Sequence, residues 1–166
     1  MVINGQFRDL DDPDRFVWVR SFADMAARRA ALEAFYHGPV RQAHREAANA
    51  TMIDSDDVLL LRPAGPGFPE ATRPDTPTDR VILASIHRQE LACFEAETAP
   101  STKPLAYFRT EHAENDFPAL PVRTDMDVVV AFHGFASQAE CDAHIREHTW
   151  PAEHLRLAPT PRSILR

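Results

Sequence analysis

The stretch FVWVRSFADMAARRAAL, residues 16–32, returns later in the chain as VVVAFHGFASQAECDAHI, residues 128–145. Aligned on Phe22 and Phe135, each copy reads as an apolar strand, a Phe-Ala step, an Asp or Ser cap and an Ala-rich helix. Each helix leads to an apolar segment that closes on proline: VLLLRP at residues 58–63 and HLRLAP at 154–159. A strand–helix–strand unit stated twice means two copies of one small module sharing a core.

Residues 2–9 read as a strand ahead of the first copy. Asp11-Asp12-Pro13-Asp14 supplies the Pro and Asx chemistry that turns it back into residues 16–22 as a hairpin. Asp24 caps a helix carrying an apolar stripe at Leu32, Phe35, Tyr36 and Val40. Gly38-Pro39 breaks that helix, which resumes over residues 40–50. A strand follows at 58–62. Residues 63–79, PAGPGFPEATRPDTPTD, hold five prolines and read as a semi-rigid linker. The expected division is a first unit at 1–63, a linker at 64–79 and a second unit at 80–166. In the second unit, strands are expected at 81–87, 105–112, 128–135 and 154–158, with a short helix over 89–98. Ser137 and Glu140 form a capping box that opens a helix to residue 148, ended by Trp150-Pro151.

The second unit uses residues 80–135 before its cap, whereas the first uses only residues 1–22. The surplus is about one strand, one helix and their loops. The second unit therefore reads β-α-β-β-α-β, a ferredoxin-like arrangement, and the first reads as the same unit without its leading strand and helix. The fold class is α+β.

Composition narrows the partners. The chain has 166 residues, a net charge of −7 and a single lysine, Lys103, which argues against nucleic acid and anionic membranes. The apolar runs are too short to span a bilayer. The opening MVINGQFRDL lacks the basic and apolar regions of a signal peptide. Cys93 and Cys141 make neither a disulfide framework nor a zinc pattern, so a cytoplasmic location with reduced thiols is expected.

Long phrases of the chain resemble the NIPSNAP family: GQFRDLDDPDRFVWVRSFADMAARRAALEAFYHGPV, HREAANATMIDSDDVLLLRP, FRTEHAENDFPALPVRTDMDVVVAFHGF and LRLAPTPRS. The resemblance implies ferredoxin-like units packed as a dimeric α/β barrel, with two units in one chain. It implies no reaction, since the family has no settled activity or agreed catalytic residues. The chain departs from the pattern in its shortened first unit and in Arg41, where related sequences tend to carry tryptophan.

A sheet with helices on one face needs a cover on the other, and the enclosed space is where a ligand belongs. Alternation puts Phe16, Trp18 and Arg20 on one face and Val17 and Val19 on the other. By the repeat, His133 joins the first set, and Val130 and Phe132 join the second. The valines and Phe132 are the better helix-packing residues, so Phe16, Trp18, Arg20 and His133 are expected to line the enclosed space. Tyr107 and Arg109 share one face, with Arg8 on the hairpin. In the functional reading Arg20 holds an anion or carbonyl and His133 acts as acid or base, beside the ligand walls Phe16, Trp18, Tyr107 and Arg109. In the structural reading Arg20 and His133 sit wetted at strand ends, and Trp18 and Tyr107 belong to the core.

His144 and His148 stand four apart in HIREH, which fits the inverted metal motif HxxEH with Glu147 as base. A third ligand is needed, from Glu153, His133 or His154, and a solvated helix face is the competing reading. His44 with Asn49, and Arg123 in the 113–125 loop, are further polar candidates. Ser137, Ser163 and both cysteines lack flanking bases. No phosphate-binding loop or nucleophile elbow occurs, and neither cofactor nor metal is expected. Two functions stand open: a NIPSNAP-like protein binding a small apolar or aromatic ligand or a protein partner, or a cofactor-independent monooxygenase or isomerase acting on a small aromatic or polyketide-like substrate. A homodimer is expected, because the shortened unit leaves an open strand edge and bare apolar surface.

Overall fold

The computed structural model describes residues 1–65, 67–68, 80–88, 93–95, 103–148 and 151–165. Its strands are β1 (Val2–Asp9), β2 (Phe16–Ser21), β3 (Leu61–Pro63), β4 (Val81–His87), β5 (Ala106–Thr110), β6 (Val129–Phe135) and β7 (Ala152–Pro159). Its helices are α1 (Met25–Tyr36), α2 (Pro39–Asn49) and α3 (Gln138–Glu147). Of the helix expected at 89–98 only residues 93–95 are described, and they are helical. Most of the expected linker, and Trp150, lie outside the described residues.

All strands join one antiparallel sheet in the order β2-β1-β7-β4-β6-β5-β3, curled into a half-barrel. The two sequence units share it, because β1 pairs with β7 and β3 pairs with β5. Among the described residues β2 and β3 are its two edges.

Local chemistry explains the elements. Asp24 accepts a hydrogen bond from the Ala27 N–H at 2.7 Å and starts α1. The Ser137 hydroxyl accepts from Glu140 N at 3.3 Å, and the Glu140 carboxylate reaches back to Ala136 N at 3.0 Å, which opens α3. Pro39 occupies the first turn of α2, where its missing N–H costs nothing. A Cβ on Gly38 would lie 2.6 Å from the Ala34 carbonyl oxygen, so only glycine permits the tight turn between α1 and α2.

Strand β3 begins three residues later than expected. The carbonyls of Val58 and Leu60 accept from Arg123 N and Glu111 N instead, so the loop after β5 takes over the backbone that a longer strand would have used. No helix among the described residues is long and apolar enough to cross a membrane.

The core has an inner and an outer layer. Phe7, Ile82, Ala84, Val128, Val130, Phe132, Leu157 and Leu165 form the inner cluster, joined by Val17, Val19, Leu61 and Phe108. Phe68, from the proline-rich segment, packs there against Phe108 at 4.9 Å and Phe132 at 5.0 Å between ring centroids. On the outer face, Cys141 and Ile145 of α3 pack on Val81, Leu83 and Phe135, while Phe94 packs on Val129, Ala131 and Tyr107.

This reverses the expected faces. Val17, Val19, Val130 and Phe132 point to the enclosed side, and Trp18, His133 and Tyr107 point to the helix side. Curling explains the reversal. The concave side of a rolled sheet packs strand against strand with few solvated gaps, so it takes mainly apolar residues. The convex side is covered by separate helices and tolerates polar groups between them.

Candidate functional site

Two regions hold the chemistry-bearing side chains. The first lies on the outer face under α3. Alternation on β4 turns Ser85 and His87 outward beside Leu83, and the ladder sets Ser85 opposite His154 and Leu83 opposite His133. The Ser85 hydroxyl and His154 Nδ1 are hydrogen-bonded at 3.0 Å. The His133 and His144 rings lie 4.8 Å apart between centroids, and His144 and His148 lie 4.4 Å apart. His148 Nδ1 donates to the His144 carbonyl at 2.9 Å. Four of the eight histidines of the chain thus gather between α3 and the sheet, and His87 lies on the same face against Phe94 at 5.1 Å between ring centroids.

Three of these imidazoles, His87, His144 and His154, are pushed toward the neutral form. Burial, helped by the facing His154, pushes His87 down to about 4. Burial, with His133, His148 and His154 as like charges, pushes His144 down to about 4. Burial lowers His154 as well. A hydroxyl beside a neutral imidazole is the geometry of an activated nucleophile. Ser85, however, is only 3% exposed, so here the pair satisfies two polar groups out of reach of a substrate. No group of three or more His, Cys, Asp or Glu side chains among the described residues is arranged to hold a metal ion. Sequence reasoning took His133 as an acid or base in the enclosed space and as a possible third metal ligand, took His154 only as a possible third metal ligand, and missed Ser85 and His87. The available signal was a polar pair two residues apart within an otherwise apolar strand.

The second region is the seam where the sheet ends at β2 and β3. Trp18 of β2 meets Phe35 of α1 edge-on at 5.9 Å, and the Arg20 guanidinium lies 4.6 Å above the Trp18 ring. Helix α1 also reaches the other bank: Leu32 packs with Phe117, Leu120 and Val58, and Arg28 bonds Asp116 at 2.6 Å. Trp18 Nε1, one η nitrogen of Arg20 and Arg62 Nε are buried without a hydrogen-bond partner among the described residues. The inner apolar residues of both banks, Val17, Val19, Leu59 and Leu61, are only partly buried.

The remaining candidates are scattered. Phe16 is 56% exposed on the outer strand edge, and Arg8, Arg109 and His44 are exposed. Tyr107 donates its hydroxyl to Glu95 at 3.0 Å, and burial together with that bond raises its pKa, keeping the phenol protonated. Arg123 pairs with Asp125 at 2.8 Å and Asp57 at 3.1 Å, tying the 113–125 loop to the segment before β3. Burial pushes the Cys141 thiol up to about 11, so it is inert, whereas Cys93 is exposed. The structure therefore brings Trp18 and Arg20 together and His133 and His144 together, but places the two pairs in different regions.

Comparison with known proteins finds no matching family model, no matching curated protein and no matching solved structure.

Proposed function

We propose that this chain is a NIPSNAP-like binding protein that holds a small apolar or aromatic ligand, or a partner segment, against the inner face of its curled sheet. The strand order β7-β4-β6-β5, with α3 between β6 and β7, supports a ferredoxin-like second unit. The shared ladders β1–β7 and β3–β5 support a barrel made by two such units. One observation carries the binding reading: the inner core cluster is apolar, and among its partly buried members Val17, Val19, Leu59 and Leu61 lie on the two banks of the seam. The enzyme reading needs a polar acid, base or anion holder on that face, and its candidates His133 and Arg20 belong to the opposite one.

A homodimer belongs to this reading. Helix α2 has no buried residue, and Val40, Met52 and Ile53 are 74%, 47% and 86% exposed beside it, which supplies apolar surface for a second copy. A monodisperse monomer by light scattering at micromolar concentration removes the dimer.

The function is tested by a thermal-shift screen of apolar and aromatic compounds on the native protein and on Val19→Asp, Leu61→Asp, Arg20→Ala and His133→Ala. Stabilising compounds are expected to be lost in the two aspartate variants and kept in the other two. Turnover of a screened aromatic compound that vanishes in His133→Ala or Arg20→Ala would overturn the binding reading in favour of cofactor-independent catalysis.

A further inference from the structure

Seven strands in strict antiparallel alternation leave β2 and β3 running in the same direction. Closing them directly on each other would create the sheet's one parallel pair, whereas a single strand between them keeps the alternation. The spacing agrees. Helix α1 touches the β2 bank through Phe35 and Trp18 and the β3 bank through Leu32 and Val58. A helix is about 10–12 Å across, and a sheet that lacks one strand has edges about 9.6 Å apart. The internal repeat names the equivalent strand. In the second half, the place between β6 and β7 is filled by β4, with Ile82 and Ala84 in the inner core and Leu83 opposite His133. Arg20 holds the position in β2 that His133 holds in β6.

We propose that the seam between β2 and β3 receives one extended polypeptide strand from a partner, apolar on its inward face and bearing a carboxylate on its outward face beside Arg20. This rests on the binding reading and names its occupant. Backbone hydrogen bonds from both edges supply affinity. Val17, Val19, Leu59 and Leu61, partly buried now, supply the apolar floor. The outward side is cationic: Arg20 and Arg62 carry buried N–H groups with no acceptor among the described residues. A buried guanidinium N–H without an acceptor is costly, so a carboxylate there gains a charge-assisted bond as well as a counter-ion.

The probe is a synthetic peptide with the sequence of residues 80–88, RVILASIHR, and the same peptide carrying Leu83→Glu. Binding is read by fluorescence anisotropy, and occupancy by backbone hydrogen exchange across β2 and β3. Both peptides are expected to slow exchange in β2 and β3 together, and the glutamate form to bind about tenfold more tightly. Arg20→Gln is expected to abolish that preference while keeping the binding of the parent peptide. Failure of both peptides to protect β2 and β3 overturns the proposal. Protection that instead rises with protein concentration, in step with a doubled mass, assigns the seam to a second copy and also overturns it. Either result leaves the binding reading standing as long as apolar compounds still stabilise the native protein and not Val19→Asp.

Discussion

Helices α1 and α3 are the same element of the internal repeat, yet they rest on different foundations. Under α3, Cys141 and Ile145 meet β4 and β6, two strands paired on both sides. Under α1, the equivalent residues are Arg28 and Leu32, and they meet the loop after β5: Arg28 ends on Asp116, and Leu32 on Phe117 and Leu120. Where a strand lies beneath the helix, a thiol and a short branched alkyl group suffice. Where none of the described strands does, the chain uses a long guanidinium and an ion pair to reach the nearest support. The second half is thus a closed sandwich, and the first is a helix moored across an open edge.

The largest expected contrast is in the core. Leu83 is 0% exposed beneath α3, and Leu83→Ala should cost about 3 kcal/mol in urea unfolding. Val19, partly exposed at the seam, should lose about 1 kcal/mol or less on Val19→Ala. Equal losses would mean that the seam is as closed as the core, and the contrast would fail.

Acid should separate the halves next. At the four repeat positions where the second half carries His133, His144, His148 and His154, the first carries Arg20, Ala31, Phe35 and Val58. The folded values of His87 and His144, about 4, lie below the ordinary 6.5, so the unfolded chain takes up these protons first. Their contribution is complete above about pH 6.5 and is lost as pH falls toward 4, by on the order of 2–3 kcal/mol with the part exposure of His144 allowed for. Hydrogen exchange at pH 4.5 should loosen α3 before α1. Loosening of α1 first would contradict the comparison. A His144→Phe variant should flatten the pH dependence.

The mooring of α1 comes third. The Arg28 side chain is 4% exposed and that of Asp116 is 23%. Arg28→Ala should therefore cost about 2 kcal/mol, less than a fully buried pair because Asp116 reaches water. Arg28→Met, which keeps the packing, should stay within about 1 kcal/mol of the native protein. A loss in Arg28→Met as large as in Arg28→Ala would show that the charge, not the reach, holds the helix.

The smallest effect sharpens the same point. Asp24→Ala and Ser137→Ala remove equivalent caps worth about 1 kcal/mol each. Ser137→Ala should appear in global unfolding, because α3 is part of the sandwich. Asp24→Ala should appear more strongly as local fraying of α1 in hydrogen exchange.

Much of the fold was legible in the chain. The boundaries of β1 and β4, the Asp24 and Ser137 caps and the break at Gly38-Pro39 follow from periodicity and capping chemistry, which act between neighbours in sequence. The candidate site was less legible. Alternation correctly sorted Trp18 with Arg20 and His133 and Val17 with Val19 and Val130, but it cannot say which set turns inward. Ser85 and His154, 69 positions apart, became partners only through the β4–β7 ladder.

The sequence by itself determined the repeat, the elements and the two sets of side chains, because each depends on spacings of a few residues. Only the tertiary structure decided which set is enclosed, which histidines meet and which two of the described strands end the sheet. Those outcomes depend on the direction in which the sheet curls and on the order in which distant strands pair. Curl and pairing order arise from the whole sheet acting together, and no short stretch of the chain carries them.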